Sequence, residues 1–325
     1  YQGVTALVAC IAPLMLALTW AGNDYPWLSA PIIGLLGFSA VMVTCFLFIE
    51  SRASEPIIPL GMFRNRIISV STAVIFLSGF AMFGGIVFIP LYFQGVLGSS
   101  ATRSGSFLTP MMLGLVGGSL ISGQVLSRTG GHYQIQGIFG LAVIAIALFF
   151  LSQMAVDTSH TRAVFNIVLL GFGLGCTMPL YVIAMQNAVS YEMLGVATSS
   201  TVFFRQMGGV FGLAIFNTIM THRFSTEFAG NLHPDAKALI TPEPLHSLSH
   251  NPQALLDPEA KLQLKAIFDH AGPQGESLFQ NVFDSLREAL NSAIAEVFFI
   301  ALITIIVAWV INLFLKEIPL RKHHI

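Results

Sequence analysis

The sequence predicts an all-α membrane protein, and three observations carry that prediction. Hydrophobic residues make up 54% of the 325 and charged residues only 10%, against about 25% charged in an ordinary soluble domain. Apolar runs long enough to cross a bilayer recur along the chain, a crossing helix needing about 20 residues for a core of about 30 Å. Each run is continuously apolar, whereas the strands of a membrane barrel alternate, so helices are selected.

Eight runs qualify, near residues 4–20, 31–49, 69–94, 106–126, 134–154, 163–185, 196–221 and 293–315. Pro13, Pro90, Pro110 and Pro179 fall inside or at the ends of these runs, where a membrane bundle tolerates kinks because neighbours re-satisfy the freed carbonyls. The third run closes with Tyr92 and Gln94, the sixth with Gln186 and Asn187, and the eighth holds Asn312. Singly, such polar residues read as interfacial anchors or packing hydrogen bonds; together they could line a polar interior. Small residues recur at helical spacing: Gly114, Gly118 and Ser122 in the fourth run, "GFGLG" at 171–175 in the sixth, Gly208 and Gly212 in the seventh. Faces of this kind let helix backbones approach closely.

The seventh run contains "SSTVFFRQMGGVFG". Arg205 lies eight residues beyond Ala197, about 12 Å into the span and close to the bilayer midplane. An arginine there costs roughly 2.5 to 3.5 kcal/mol on insertion scales, so it must face protein or water. Two readings stay open, an arginine pinning neighbouring helices together and a polar site on a solute or ion pathway with Gln206 beside it. No Asp or Glu occupies the middle of any run, and Glu296 stands only one turn into the last.

An even number of spans leaves both ends on one side. The loop at 50–68 carries Arg52, Arg64 and Arg66, the loop at 127–133 carries Arg128, and the tail carries Lys316, Arg321 and Lys322; the opposite short loops hold Arg103 and Arg162. The positive-inside rule makes the first set and both ends cytoplasmic, with 223–292 outside. That outer segment opens polar and proline-rich, and "DPEAKLQLKAIFDH" offers Asp257 as a helix cap followed by Pro258. A second helix near 276–292 places Leu278, Val282, Leu286 and Ala289 on one face and leads into the last span. It reads as a helix flat on lipid headgroups or, alternatively, as a lid.

Several chemistries lack a motif. There is no GxxxxGK[ST] loop, no dinucleotide fingerprint and no HExxH, so neither a cofactor nor enzymatic activity is expected. His246 and His250 have ligand spacing but sit in a Ser- and Pro-rich stretch, and no metal is expected. Cys10, Cys45 and Cys176 lie in apolar runs, which argues against a disulfide framework. A net charge of −1 gives no footprint for nucleic acid.

"PIIPLGMFRNR", "GFAMFGGIVFIPLYFQGVLGSSATRSG", "LTPMMLGLVGGSLISGQVLSRTG" and "MQNAVSYEMLGVATSSTVFFRQMGGVFGLAIF" resemble the carboxyl half of the fourteen-span drug:proton antiporters of the major facilitator superfamily. "LALTWAGNDYPWLSAPIIG" resembles the pair of spans that family inserts between its six-helix halves. The resemblance implies residues 1–50 as that pair, 51–68 as a cytoplasmic linker, 69–222 as five spans of the second bundle, 223–292 as an extracytoplasmic loop with short amphipathic helices, and 293–325 as the last span and tail. It also implies a bacterial plasma membrane location and export of small lipophilic compounds against protons by alternating access. The chain opens at Tyr1, without methionine, and reads as a fragment whose partner, the first six-helix half, lies upstream with the coupling carboxylates. "GQVLSRTGGH" resembles the family's cytoplasmic loop motif in Gly123, Arg128 and Gly130, with Ser127 in place of its aspartate. A carrier for another small solute, or a sensor or scaffold without transport, remains the alternative.

Overall fold

A computed structural model describes residues 2–22, 25–53, 56–100, 105–232, 268 and 275–319. Arg103, Arg321, Lys322, the histidine pair at 246 and 250, and the helix expected from Asp257 lie outside the described residues. Eight helices are long and apolar enough to cross a membrane: α1 (Gln2–Trp20), α2 (Ala30–Arg52), α3 (Arg66–Leu91), α4 (Leu108–Thr129), α5 (Tyr133–Ser152), α6 (His160–Asn187), α7 (Leu194–Asn231) and α8 (Gly275–Asn312). The described residues form no sheet, only an isolated bridge between Ala21 and Tyr25.

Local chemistry sets the ends. The Asn65 side chain accepts from Ile67 N at 2.9 Å and starts α3, Ser159 caps α6, and Pro31 sits in the first turn of α2, where its missing N–H is no loss. Gly130, at φ 74°, ends α4 in a left-handed conformation that suits glycine. Pro90 denies α3 an internal donor, and the helix continues past it as a π-turn over Tyr92–Val96.

Carbonyls near the mid-helix prolines are bonded from the neighbouring helix. Pro179 cannot donate to the Gly175 carbonyl; Ser119 Oγ of α4 does so at 3.2 Å, and Ser122 Oγ takes the next carbonyl, Cys176, at 2.7 Å. In α1, which contains Pro13, Ser39 Oγ of α2 donates to the Cys10 carbonyl at 2.7 Å.

Helices α3 to α8 form one bundle of two interlocked triplets. The first helix of each triplet crosses the middle helix of the other, α3 on α7 and α6 on α4, and the third helix of each packs on the first of the other, α5 on α6 and α8 on α3. This exchange is the arrangement of inverted three-helix repeats. Glycine backbones meet at both crossings. A Cβ at Gly208 would strike the Phe76 carbonyl, one at Gly79 the Arg205 carbonyl, one at Gly114 the Val168 carbonyl and one at Gly175 the Leu115 carbonyl. Gly118 meets the Phe172 carbonyl in the same way, and Gly212 lies against the ring and Cα of Phe80.

Helices α1 and α2 form a hairpin joined to the bundle mainly through α7, where Trp27 Nε1 donates to Thr218 Oγ1 at 3.0 Å. Beyond α2, the buried Glu50 carboxylate accepts from Ile58 N at 2.5 Å and folds the linker back.

The stretch at 275–292 does not lie flat on lipid. It is continuous with the last span, and Phe279, Val282, Leu286, Ala289 and Leu290 are buried against the protein. Arg287 fixes it by donating from Nε and Nη2 to the Val96 carbonyl at 2.9 and 2.6 Å, capping the π-turn that ends α3. Helix α7 also runs past the apolar run, to Asn231, because Phe224 and Phe228 keep a buried face on its polar extension.

Candidate functional site: the Arg205 crossing

Arg205 occupies the turn of α7 at which α3 crosses. Gly79 abuts its carbonyl, and Gly208 and Gly209, one turn on, sit against Phe76 and Phe83. The crossing is sealed by aromatic pairs, Phe76 with Phe211 and Phe80 edge-on to Phe216, with ring centroids 5.8 Å apart in both. Only hydrogen at the α carbon of residues 79 and 208 allows this spacing. The Arg205 side chain is half-buried, and it makes no hydrogen bond or ion pair with any described residue. A cation at this depth that is neither paired nor free in water holds unused electrostatic capacity for a partner.

Two turns toward the α7 start and on the same face, Thr198 Oγ1 accepts from Gln186 Nε2 of α6 at 2.7 Å and donates to the Leu194 carbonyl at 2.8 Å. Arg205, Thr198 and Gln186 thus form a polar strip where α6 and α7 meet. Thr201 is buried and spends its hydroxyl on its own helix, bonding the Thr198 carbonyl. Gln206 is exposed.

The other sequence candidates stand elsewhere. Tyr92 is buried at the far end of α3, about 20 Å along the helix from Gly79, and its hydroxyl donates to the Ala155 carbonyl at 2.9 Å. Gln94, in the π-turn beside it, is half-buried. Asn187 Nδ2 donates to Tyr133 Oη at 2.8 Å and the Pro319 carbonyl at 3.0 Å, tying the segment after α8 to α5 and α6. Asn312 bonds Tyr181 Oη at 2.9 Å and the Gln134 carbonyl at 3.1 Å, forming a buried knot of α5, α6 and α8. Tyr181 and Gln134 carried no signal as single residues, since their pairing depends on three helices meeting.

Glu296, one turn into the last span, is committed to Arg223 at 3.2 Å, which also holds Glu227 at 2.7 Å. Gly123 borders open space, Arg128 is exposed at the α4 terminus, and Gly130 supplies the turn.

This arrangement has relatives. The sequence profile of the Major Facilitator Superfamily matches residues 2–213. The chain belongs to that superfamily. Among curated relatives, the multidrug transporter protein MdtP of Bacillus subtilis is 34% identical over 98% of this chain, and multidrug resistance protein 3 of the same organism is 33% identical over 98%. The chain spans 59% of the length of MdtP and 58% of that of multidrug resistance protein 3. A bacterial homologue of the human lysosomal transporter Spinster, solved by crystallography, shares the fold at a TM-score of 0.51 and 14% identity, covering 96% of this chain and 66% of that one.

Proposed function

We propose that the chain is the carboxyl-terminal part of a proton-coupled exporter of lipophilic compounds, working by alternating access, with Arg205 on its pathway. The carrying observation is the half-buried guanidinium of Arg205, unpaired among the described residues, at a crossing where two backbones touch. Such a cation is suited to meet a polar group of a substrate, or a carboxylate of the first six-helix half, in one state of the cycle and release it in another. The glycine crossings support the same reading, because smooth backbone contact lets α3 and α7 slide without unpacking side chains. Transport then needs both halves rocking about a central site, and the carboxylates that couple protons belong to the first half. The orientation proposed from the loop charges puts Arg52, Arg64, Arg66, Arg128 and Lys316 in the cytoplasm.

The test uses the full-length protein in cells loaded with a lipophilic dye. Arg205→Gln is expected to lower proton-dependent efflux about tenfold, the order of one lost charge-assisted contact, with membrane abundance unchanged, and Arg205→Lys to retain part of it. Unchanged efflux in Arg205→Gln would assign the arginine to packing. Absence of dye efflux from the wild type, together with insensitivity to a protonophore, would favour a carrier for another solute or a scaffold.

A further inference from the structure

Between α4 and α5 lies a cleft that the packing of the bundle does not close. The two helices are joined by a tight turn at Gly130 and Gly131, yet they scarcely touch along their length. At the floor, Gln136 Nε2 donates to both the carbonyl and the hydroxyl of Ser122, at 2.7 Å each, and Cys176 of α6 lies behind. This polar bridge joins the two helices at one level, and their apolar faces do not interdigitate beside it. The result is a cavity of about 580 Å³ walled by Ile121 and Val125 on α4 and by Ile135 and Phe139 on α5. Ile121, Ile135 and Phe139 are each more than half exposed, at 51%, 63% and 57%.

Charge is graded along the cleft. Ile121, Val125 and Arg128 follow at i, i+4 and i+7 on α4, one stripe of the helix, so Arg128 sits at the mouth about 10 Å from Ile121. His132, at the start of α5, lines the cavity at the same end. Arg128 is exposed and has no ion-pair partner among the described residues. The mouth opens at the end of the bundle that also presents exposed Arg52, Arg64, Arg66 and Lys316.

We propose that this cleft holds one acyl chain of an anionic phospholipid, with the lipid phosphate on Arg128. A void of this size bounded by apolar walls is filled by hydrocarbon in a bilayer, and a guanidinium at the interface binds phosphate in a two-pronged geometry. The depth from Arg128 to Ile121 matches roughly half an acyl chain. The site rests on the membrane topology and not on the transport reading, so transport is not its readout.

The experiment places the full-length protein in nanodiscs carrying dilute lipid with brominated acyl chains, and reads quenching of a Phe139→Trp reporter relative to the same protein without the added tryptophan. The control is Phe48→Trp, on the outer hairpin at the same end of the bundle, where Arg52 lies 4.2 Å over the Phe48 ring and there is an arginine but no cleft. Brominated phosphatidylglycerol is expected to quench the Phe139→Trp reporter at about one-fifth the mole fraction that brominated phosphatidylcholine needs, as for one basic side chain at the surface. Arg128→Gln should abolish this preference, Arg128→Lys should keep only part of it, as a point charge without the two-pronged geometry, and the control position should show less than about half of it. Equal quenching by the two lipids, an identical preference at the control position, or a preference intact in Arg128→Gln would each overturn the proposal. Relief of quenching by a transported lipophilic dye would do so as well, by assigning the cleft to substrate.

Discussion

The α1–α2 hairpin is as apolar as the innermost helices of the α3–α8 bundle, α3 and α6, yet the two regions bury their helices to opposite extents. In α2 only 17% of the span is buried, whereas α3 and α6 are each 61% buried, so apolarity does not decide which helix is interior. What a glycine faces shows instead where two backbones meet. Gly34 and Gly37 of α2 have nothing within 4 Å of an added Cβ, while Gly208 and Gly175 lie against the carbonyls of Phe76 and Leu115. Where lipid is as apolar as leucine, close backbone packing and interhelical hydrogen bonds replace hydrophobic burial as the source of cohesion.

That contrast is open to direct attack by mutation, and the largest effect belongs to the crossings. Gly208→Leu and Gly175→Leu are expected to destabilise the bundle by about 3 kcal/mol or more through overpacking against backbone. Gly34→Leu and Gly37→Leu should leave it unchanged. Thermal melts of the detergent-solubilised full-length protein, followed by size-exclusion fluorescence, give the comparison, and a similar loss at all four sites would erase the distinction.

Next come the polar repairs. Tyr181→Phe removes the partner of Asn312 Oδ1 in a buried knot, and Ser122→Ala removes the hydroxyl that serves both the Cys176 carbonyl and Gln136. Each should cost about 1 to 2 kcal/mol, the upper part of the range for interhelical hydrogen bonds in membranes, and lower the same melting midpoint. Unaltered midpoints would mean that these groups find substitutes within their own helices.

The smallest change is expected at the tie between hairpin and bundle. Trp27→Phe deletes the hydrogen bond to Thr218 and should cost about 0.6 kcal/mol. Its signature is local: increased protease or hydrogen-exchange access at residues 20–30 with the bundle midpoint unchanged. A bundle midpoint that moves with Trp27 would show the hairpin to be part of the cooperative core.

Much of the fold was legible because hydrophobic length and small-residue spacing are one-dimensional signals. All eight spans follow from apolar run length, and Gly114 with Gly118 and Gly208 with Gly212 stood out through their four-residue interval. Gly34 and Gly37 show the limit, since their composition signals close packing and their surroundings offer none. Arg205 was conspicuous as a charge among apolar residues. Tyr92 and Asn187, proposed with it from their positions at span ends, instead bond the Ala155 carbonyl and Tyr133 Oη at opposite ends of the bundle.

The amino-acid sequence on its own determined how many spans the described residues form and where the basic residues gather, because crossing a bilayer constrains length and composition locally. Only the tertiary structure decided that Ser119 repairs the helix of Pro179 and that Arg205 stands at a backbone crossing without a described partner. It alone left α4 and α5 apart over an open cleft. The reason is that a hydrogen bond or a steric contact between helices depends on rotation about each helix axis, and neighbours far away in the chain set that rotation.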